Sequence, residues 1–445
     1  MRTSTGRRSV APTTSTATGT CSVPAFRCPN TPTRDVDADR GRQARGQRLT
    51  SQSPDRPATG ERRMAVYNTR VARPRSAAPS IKHRITHSGP ASAIASAIAF
   101  SAALLLTPAA HAAMNFCAAP ALQNGEREDA NSSVHAMIVE AQAHVDDTPH
   151  PLSRLHTEGT LPHEGIYDES VTAEQELDLM RDTALAWRAT ADPRFLKMVD
   201  RFLLAWVKTY TPSFNPIDET RFDSLILAYD LTASALSAST RNATVDFLQT
   251  LGNGYIAQID AAKRPLAQTF TNNWQSHRVK LIAMSAFALD DRKMIDAARR
   301  LFALQLQNNI GGDGQVLDYS ERDAVHYVVY DLEPLTMAAL AARRHRIDWL
   351  TLRAQNGATL QAALNWLVPY ALGQQTHEEY VHSRVPFDAT RREAGLPGFS
   401  GNWDPKSATT LFYLASRLDK RYLPVAKRLS ARPPAWLGVC LPTPT

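Results

Sequence analysis

From residue 171 onward, apolar positions recur three and four apart. Across 171–190, Leu177, Met180, Ala184 and Trp187 form one stripe, and across 194–210, Phe195, Met198, Phe202 and Trp206 form another. The same spacing runs through 222–236, 243–262, 274–289, 292–308, 323–343, 358–372, 376–393 and 407–418. Residues three and four apart share a helix face, so this pattern predicts helices rather than strands. Alternation of Val, Ile and Thr at period two is nearly absent. Pro193, Pro212, Pro216, Pro265 and Pro405 fall between the predicted helices or at their starts, where a fixed φ and a missing N–H cost little, and Pro369 falls near the end of 358–372. A chain of about ten to twelve such helices leaves a superhelical solenoid or a ring of helix pairs. A solenoid needs a recurring repeat of about 34–47 residues, and none is found. The expectation is therefore all-α: an incomplete (α/α) toroid or barrel of paired antiparallel helices, whose inner ring lines a cleft. No linker interrupts 120–435, so residues 113–445 read as one domain.

Charge changes the picture of the N-terminal quarter. The 445 residues carry a formal net charge of +7, which hints at a nucleic-acid partner. Residues 1–112, however, hold 17 Lys and Arg against 5 Asp and Glu, and the rest of the chain has a net charge of −5. The basic excess belongs to the leader, and no nucleic-acid partner is expected. Residues 1–63 are rich in Arg, Thr, Ser, Pro and Ala and are too poor in large apolar residues to bury a core; they read as a disordered or over-extended start, with Met64 as an alternative initiator. Residues 64–112 read as a signal peptide: basic Lys82-His83-Arg84, an apolar run from Ala93 to Leu106, then Ala110-His111-Ala112 as a small-x-small cleavage site. The apolar run is too short to span a bilayer. The expected product is secreted or periplasmic, with no membrane attachment after cleavage. Cys117 and Cys440 remain at opposite ends of that product, as one disulfide joining the termini or as two free thiols.

Three segments carry more polar chemistry than a helical core requires: Asn215-Pro216-Ile217-Asp218-Glu219; Thr271-Asn272-Asn273-Trp274-Gln275-Ser276-His277-Arg278; and the run from Gly311-Gly312-Asp313-Gly314 through Glu321-Arg322-Asp323 to Leu335. If one helix starts near Asp323, then Arg322, His326 and Tyr330 share a broad face with Tyr327 on its flank. A cation, an imidazole and phenols grouped this way suit a carboxylate-bearing substrate. The alternative is a helix start whose Arg pairs with Glu321 or Glu333 and whose rings pack in the core. In the second segment Asn272 or Asn273 could simply cap a helix, while Trp274 and His277 point the same way, as for stacking on and hydrogen bonding to a sugar. His377-Glu378 lacks the further ligands of a metal site, and neither a metal nor a cofactor is expected.

These residues resemble the alginate lyase family of polysaccharide lyases. That family opens a helix with Asn-Asn-His-x-x-Trp and later carries Ala-Leu-x-Tyr-His-x-x-x-Leu-x-Pro-Leu. Here the later segment reads Ala324-Val325-His326-Tyr327-Val328-Val329-Tyr330-Asp331-Leu332-Glu333-Pro334-Leu335; the earlier reads Asn272-Asn273-Trp274-Gln275-Ser276-His277, with Trp and His exchanged. Weaker likeness extends to Thr157-Glu158-Gly159, 215–219 and Trp403-Asp404-Pro405. The resemblance implies a helical toroid that cleaves an anionic polysaccharide, alginate or a related polyuronate, by β-elimination. It implies Tyr327 as the base and acid, with Tyr330 as the rival on helical geometry, and Asn273, Arg322 and His277 beside the C5 carboxylate. The expected substrate contacts are Asn272, Trp274, Arg278, His326, Tyr330, His382 and Arg384, with Lys280, Arg391 and Arg392 as further groove cations or merely solvated helix faces. Neighbouring cations would lower the tyrosine's pKa. The family's Arg stands seven residues before its Tyr; here that position is Ser320 and Arg322 stands five before, which marks a divergent branch. Two competing readings are a toroidal glycoside hydrolase using two of Asp218, Glu219, Asp313 and Glu333, and a non-catalytic polysaccharide-binding protein.

Overall fold

The computed structural model describes residues 114–117 and 124–441; the leader and the expected signal peptide lie outside them. Among the described residues the chain runs α1 (Asn124–Ala143), α2 (Tyr167–Thr190), α3 (Pro193–Thr209), α4 (Phe222–Thr232), α5 (Ala238–Asp260), α6 (Asn273–Leu289), α7 (Arg292–Asn309), α8 (Leu317–Arg322), α9 (Val325–Arg344), α10 (Leu360–Ala371), α11 (Pro386–Glu393), α12 (Thr409–Leu418), α13 (Leu423–Leu429) and α14 (Ala435–Cys440). Polar side chains start several of them. Asp192 accepts from the Arg194 N–H with Pro193 in the first turn of α3, and Asn272, Asp291 and Thr359 cap α6, α7 and α10.

The helices sort into two rings by burial. α2 packs on α4, α4 on α6, α6 on α9 and α9 on α12. α4, α6 and α9 are buried along nearly their whole length, as helices covered on every side must be. Around them, α1 and α3 pack on α2, α5 and α7 on α6, α10 on α9 and α13 on α12. An outer helix such as α3 buries one stripe, Phe195, Met198, Val199, Phe202, Leu203 and Trp206, and turns its other face to solvent. This is the expected (α/α) toroid. α14 packs on α1 and α2, and a Cys117–Cys440 disulfide fastens the two ends of the domain.

Two segments differ from the sequence reading. Residues 376–393 do not form one helix. Only Pro386–Glu393 is helical, and Tyr380, at φ 62°, breaks the run. The segment before α11 instead lies along the site, with the Tyr380 N–H donating to the Asp323 carbonyl and the Trp403 N–H to the His377 carbonyl. The helix expected from Asp323 starts later, because Asp323 ends α8 in the left-handed region at φ 50°. Helices α1, α8, α13 and α14 had no counterpart in the sequence reading. The polar start of α1, Asn124 to Ser133, has no apolar stripe, and the other three span six or seven residues, too short to establish a period.

Candidate active site

The kink at Asp323 builds the site. It separates Arg322 on α8 from His326, Tyr327 and Tyr330 on α9, so the expected single face does not form, and Arg322 reaches the tyrosines from a different direction. Glu379 stabilises the start of α9 by accepting from the Val325 and His326 N–H groups at 2.8 and 3.1 Å. Burial pushes its carboxyl up to about 7.

Tyr327 is 7% exposed and lies between two guanidinium groups. Arg322 stacks over its ring at 3.8 Å, and Arg391 Nη1 donates to its hydroxyl at 3.0 Å. Asp388, fully buried, holds both cations: Arg322 Nη1 at 2.6 Å and Arg391 Nη1 at 3.6 Å. The Ser383 hydroxyl donates to its other oxygen. Burial raises the Tyr327 pKa, while Arg322 and Arg391 pull it back. The net direction is upward, contrary to the expected lowering, because the ring is almost wholly desolvated. Tyr330 lies 5.8 Å from Tyr327 between ring centres. Its pKa is also raised by burial, and among its charged neighbours Glu174 adds to the rise while Arg391 and Arg221 oppose it. His326 is 5.4 Å from the Tyr327 ring. Burial, with Arg391 and Arg322 adding to it, lowers its imidazole to about 4, so it is neutral at pH 7.

Several expected site residues are engaged elsewhere. The backbone N–H and one side-chain N–H of Asn273 donate to the buried Asp318, which leaves one of its two amide donors. Asn272 is the α6 cap, accepting from the Trp274 N–H. His277 is buried, with Nδ1 2.7 Å from the Thr220 hydroxyl and its ring 4.4 Å from Tyr330. Its Nε2 is closed off without a hydrogen bond, and burial holds its pKa well below the usual value. Arg278 donates to Gln258 Oε1 and to the Thr269 carbonyl, and lies over the Phe270 ring at 4.4 Å; burial lowers its pKa to about 10. Lys280 is buried on Asp223 at 2.6 Å and on Thr220. Trp274 is half-buried beside Arg278. His382 and Arg384 are exposed on the neighbouring segment, which is anchored by N–H bonds to Asp323 Oδ2 and to the Glu321 carbonyl. Arg384 and Arg392 line a cavity of about 200 Å³ with Tyr380, Val381 and Ser383.

Three of the four carboxylates of the hydrolase reading are engaged in local structure. Asp218 accepts from the Thr157 and Glu158 N–H groups and contacts His156. Glu219 accepts from the hydroxyls of Tyr210 and Tyr255, the Ser213 hydroxyl and two backbone N–H groups. Asp313 accepts from the Gln315 N–H within its own turn. Both ring nitrogens of His377 are occupied, by the Tyr319 hydroxyl and the Asp323 carbonyl. Among the described residues no group of three His, Cys, Asp or Glu is placed to hold a metal ion, and no helix is long and apolar enough to cross a membrane.

Sequence reasoning left Arg391 open between a groove cation and a solvated helix face, and missed Asp388 and Asp318. One local signal was present: Asp388 and Arg391 stand three apart, an ion-pair spacing on a helix. That spacing alone does not reveal that the pair reaches Tyr327, 64 residues earlier in the chain.

An α/α toroid presenting a buried tyrosine between guanidinium groups has the form of a polysaccharide lyase. The alginate lyase family model matches residues 122–377, more than half of the chain, and the chain belongs to that family of polysaccharide lyases. No curated protein matches it. Among solved structures, an alginate lyase from Bacteroides ovatus is similar with a TM-score of 0.51 and 16% identity, over 71% of this chain and 95% of the other. Alginate lyase A1-III from Sphingomonas species A1 matches with a TM-score of 0.41 and 18% identity, over 53% and 75%. A histidine-to-alanine variant of alginate lyase A1-III, complexed with a tetrasaccharide, matches with a TM-score of 0.46 and 17% identity, over 68% and 94%. Asp388 and Arg391 lie beyond the last residue that the family model matches.

Proposed function

We propose that the protein is a secreted or periplasmic lyase that cleaves alginate by β-elimination, with Tyr327 carrying the proton. The single observation behind the residue assignment is the Tyr327 setting, a buried phenol with one guanidinium over its ring and another on its hydroxyl. In a uronate the C5 proton is weakly acidic until the neighbouring carboxylate is shielded. Tyr327 as phenolate takes that proton, the C5 electron pair forms the C4–C5 double bond, and the C4–O4 bond breaks. The phenol then returns the proton to the departing O4. Cations beside a phenolate stabilise it, and Tyr327 has two. Tyr330 is the weaker candidate, since the direct guanidinium contacts, Arg322 over the ring and Arg391 on the hydroxyl, are made with Tyr327.

The signal-like leader supports export, and the Cys117–Cys440 disulfide fits an oxidising compartment. The net charge of −5 over 113–445 does not oppose a polyanionic substrate, because the local field at the site matters more than the total. Engagement of Asp218 and Glu219 in the scaffold weighs against a hydrolase.

The test uses purified 113–445 with polymannuronate, polyguluronate and glucuronan, following the ultraviolet absorbance of the unsaturated uronate end. A rise with either alginate block is expected, and the faster polymer names the preferred block. A rise with glucuronan alone would move the substrate to another polyuronate. New reducing ends without absorbance would overturn the elimination.

A further inference from the structure

We infer that Arg391 is a catalytic residue of this chain, the guanidinium that neutralises the substrate's C5 carboxylate, brought to the site by a segment beyond the last residue that the family model matches. This rests on the polyuronate-lyase reading above and names the group that reading leaves open. The carboxylate to be shielded is attached to the carbon that loses its proton. A cation serving it must therefore stand within a few ångströms of the base. Arg391 Nη1 is 3.0 Å from the Tyr327 hydroxyl.

The other candidates are committed. Asn273 gives one of its two side-chain N–H groups to Asp318, which fixes the amide against α8, and it is neutral where Arg391 is charged. Arg322 lies over the Tyr327 ring with Nη1 on Asp388. Lys280 and Arg278 are tied to partners inside the fold. His326 is neutral at pH 7. Arg391 keeps 19% of its side chain exposed, and Asp388 is a looser partner to it, at 3.6 Å, than to Arg322, at 2.6 Å. Its guanidinium also lies over Phe387 at 4.4 Å and Phe399 at 5.1 Å, which fixes its direction without consuming its donors. A planar guanidinium matches a carboxylate with two parallel hydrogen bonds. The segment that delivers it is anchored independently of Arg391, through Glu379 on the α9 start, the Tyr380 N–H on Asp323, and Ser383 with Arg322 on Asp388.

The experiment compares full-length mature protein, Arg391→Ala and Arg391→Lys on alginate, with and without millimolar guanidinium chloride. Arg391→Ala is expected to lose about 10²–10³-fold in kcat, the usual effect of removing one donor to developing charge. Added guanidinium is expected to restore part of that loss in a saturable way, and Arg391→Lys to retain at least about tenfold more activity than Arg391→Ala. Unchanged kcat in Arg391→Ala overturns the assignment. So does a loss shared equally by Ala and Lys that guanidinium does not relieve, because a purely structural arginine behaves that way. Should Arg391→Ala fail to fold, Arg391→Gln, which keeps the stem without the charge, takes its place: kcat at the wild-type level, or KM raised with kcat unchanged, overturns the transition-state role. A wild-type protein that releases no unsaturated product from any polyuronate would instead overturn the lyase reading on which this rests.

Discussion

Tyr327 and Tyr330 are one helical turn apart, Tyr327 buried and Tyr330 half-buried, and they differ in their direct contacts with cations. Arg322 lies over the Tyr327 ring and Arg391 donates to its hydroxyl, whereas Arg391 and Arg221 act on Tyr330 through their field, with Glu174 opposing them. Tyr330→Phe is therefore expected to keep measurable turnover. A loss as complete as that of Tyr327→Phe in steady-state kinetics would exchange their roles. Glu333 gives a second residue-scale prediction. Burial, opposed by Lys280 and Arg221 and reinforced by Asp223, raises its carboxyl from 4.5 to about 7. The folded protein thus holds a proton there that the unfolded chain releases, so this contribution is complete below about pH 4.5 and is lost as pH rises through 7. Glu333→Gln has no such loss. Its melting temperature relative to wild type should climb between pH 5 and 8 in thermal melts, and parallel profiles would refute this. At this scale the sequence exposed Tyr327 through the spacing around Leu332, Pro334 and Leu335. It could not show that Asn273 and His277 are turned inward, because burial and partner choice depend on α4, α8 and α9 together.

At the scale of elements, the site depends on two breaks rather than on a helix face. The left-handed Asp323 frees Arg322 to approach Tyr327 from α8, and the positive φ of Tyr380 folds the segment before α11 back over the start of α9. Periodicity starts α9 at Asp323 and reads 376–393 as one helix because apolar spacing carries no mark of a residue in the left-handed region. Asp388 is where the two breaks meet, buried and paired with Arg322, with Arg391 at 3.6 Å. Removing one partner of a buried ion pair leaves uncompensated charge, so Asp388→Ala should cost about 3–5 kcal/mol of stability. Urea unfolding would measure it, and a loss below 1 kcal/mol, the ordinary value for a surface pair, would contradict the role of Asp388 as the tie between the cations.

For the whole molecule, the ring of helix pairs was legible because helix-length apolar stripes follow one another without a solenoid's repeat; the polar residues of α6 hid that it is buried all round, while outer helices such as α3 are buried on one face only. The closure of the domain was not legible, since two cysteines at opposite ends could equally have stayed free. Their disulfide spans 323 residues of sequence, and constraining so long a loop in the unfolded chain is worth up to about 5 kcal/mol in the entropic model. Cys117→Ser, or reduction of the wild type, should lower the melting temperature; an unchanged melt would remove the disulfide from the stability of the toroid. The cation–phenol pair at the centre of the molecule also implies that kcat/KM rises with pH on the alkaline side, as the upward-shifted Tyr327 ionises between Arg322 and Arg391, with Asp388 and Asp318 opposing. The most direct measurement of the central claim is Tyr327→Phe mixed with an alginate oligosaccharide, followed by calorimetry for binding and by ultraviolet absorbance for unsaturated ends. Binding within a few-fold of wild type with no absorbance is the predicted result. Unsaturated product formed at the wild-type rate would contradict Tyr327 as the residue that moves the proton.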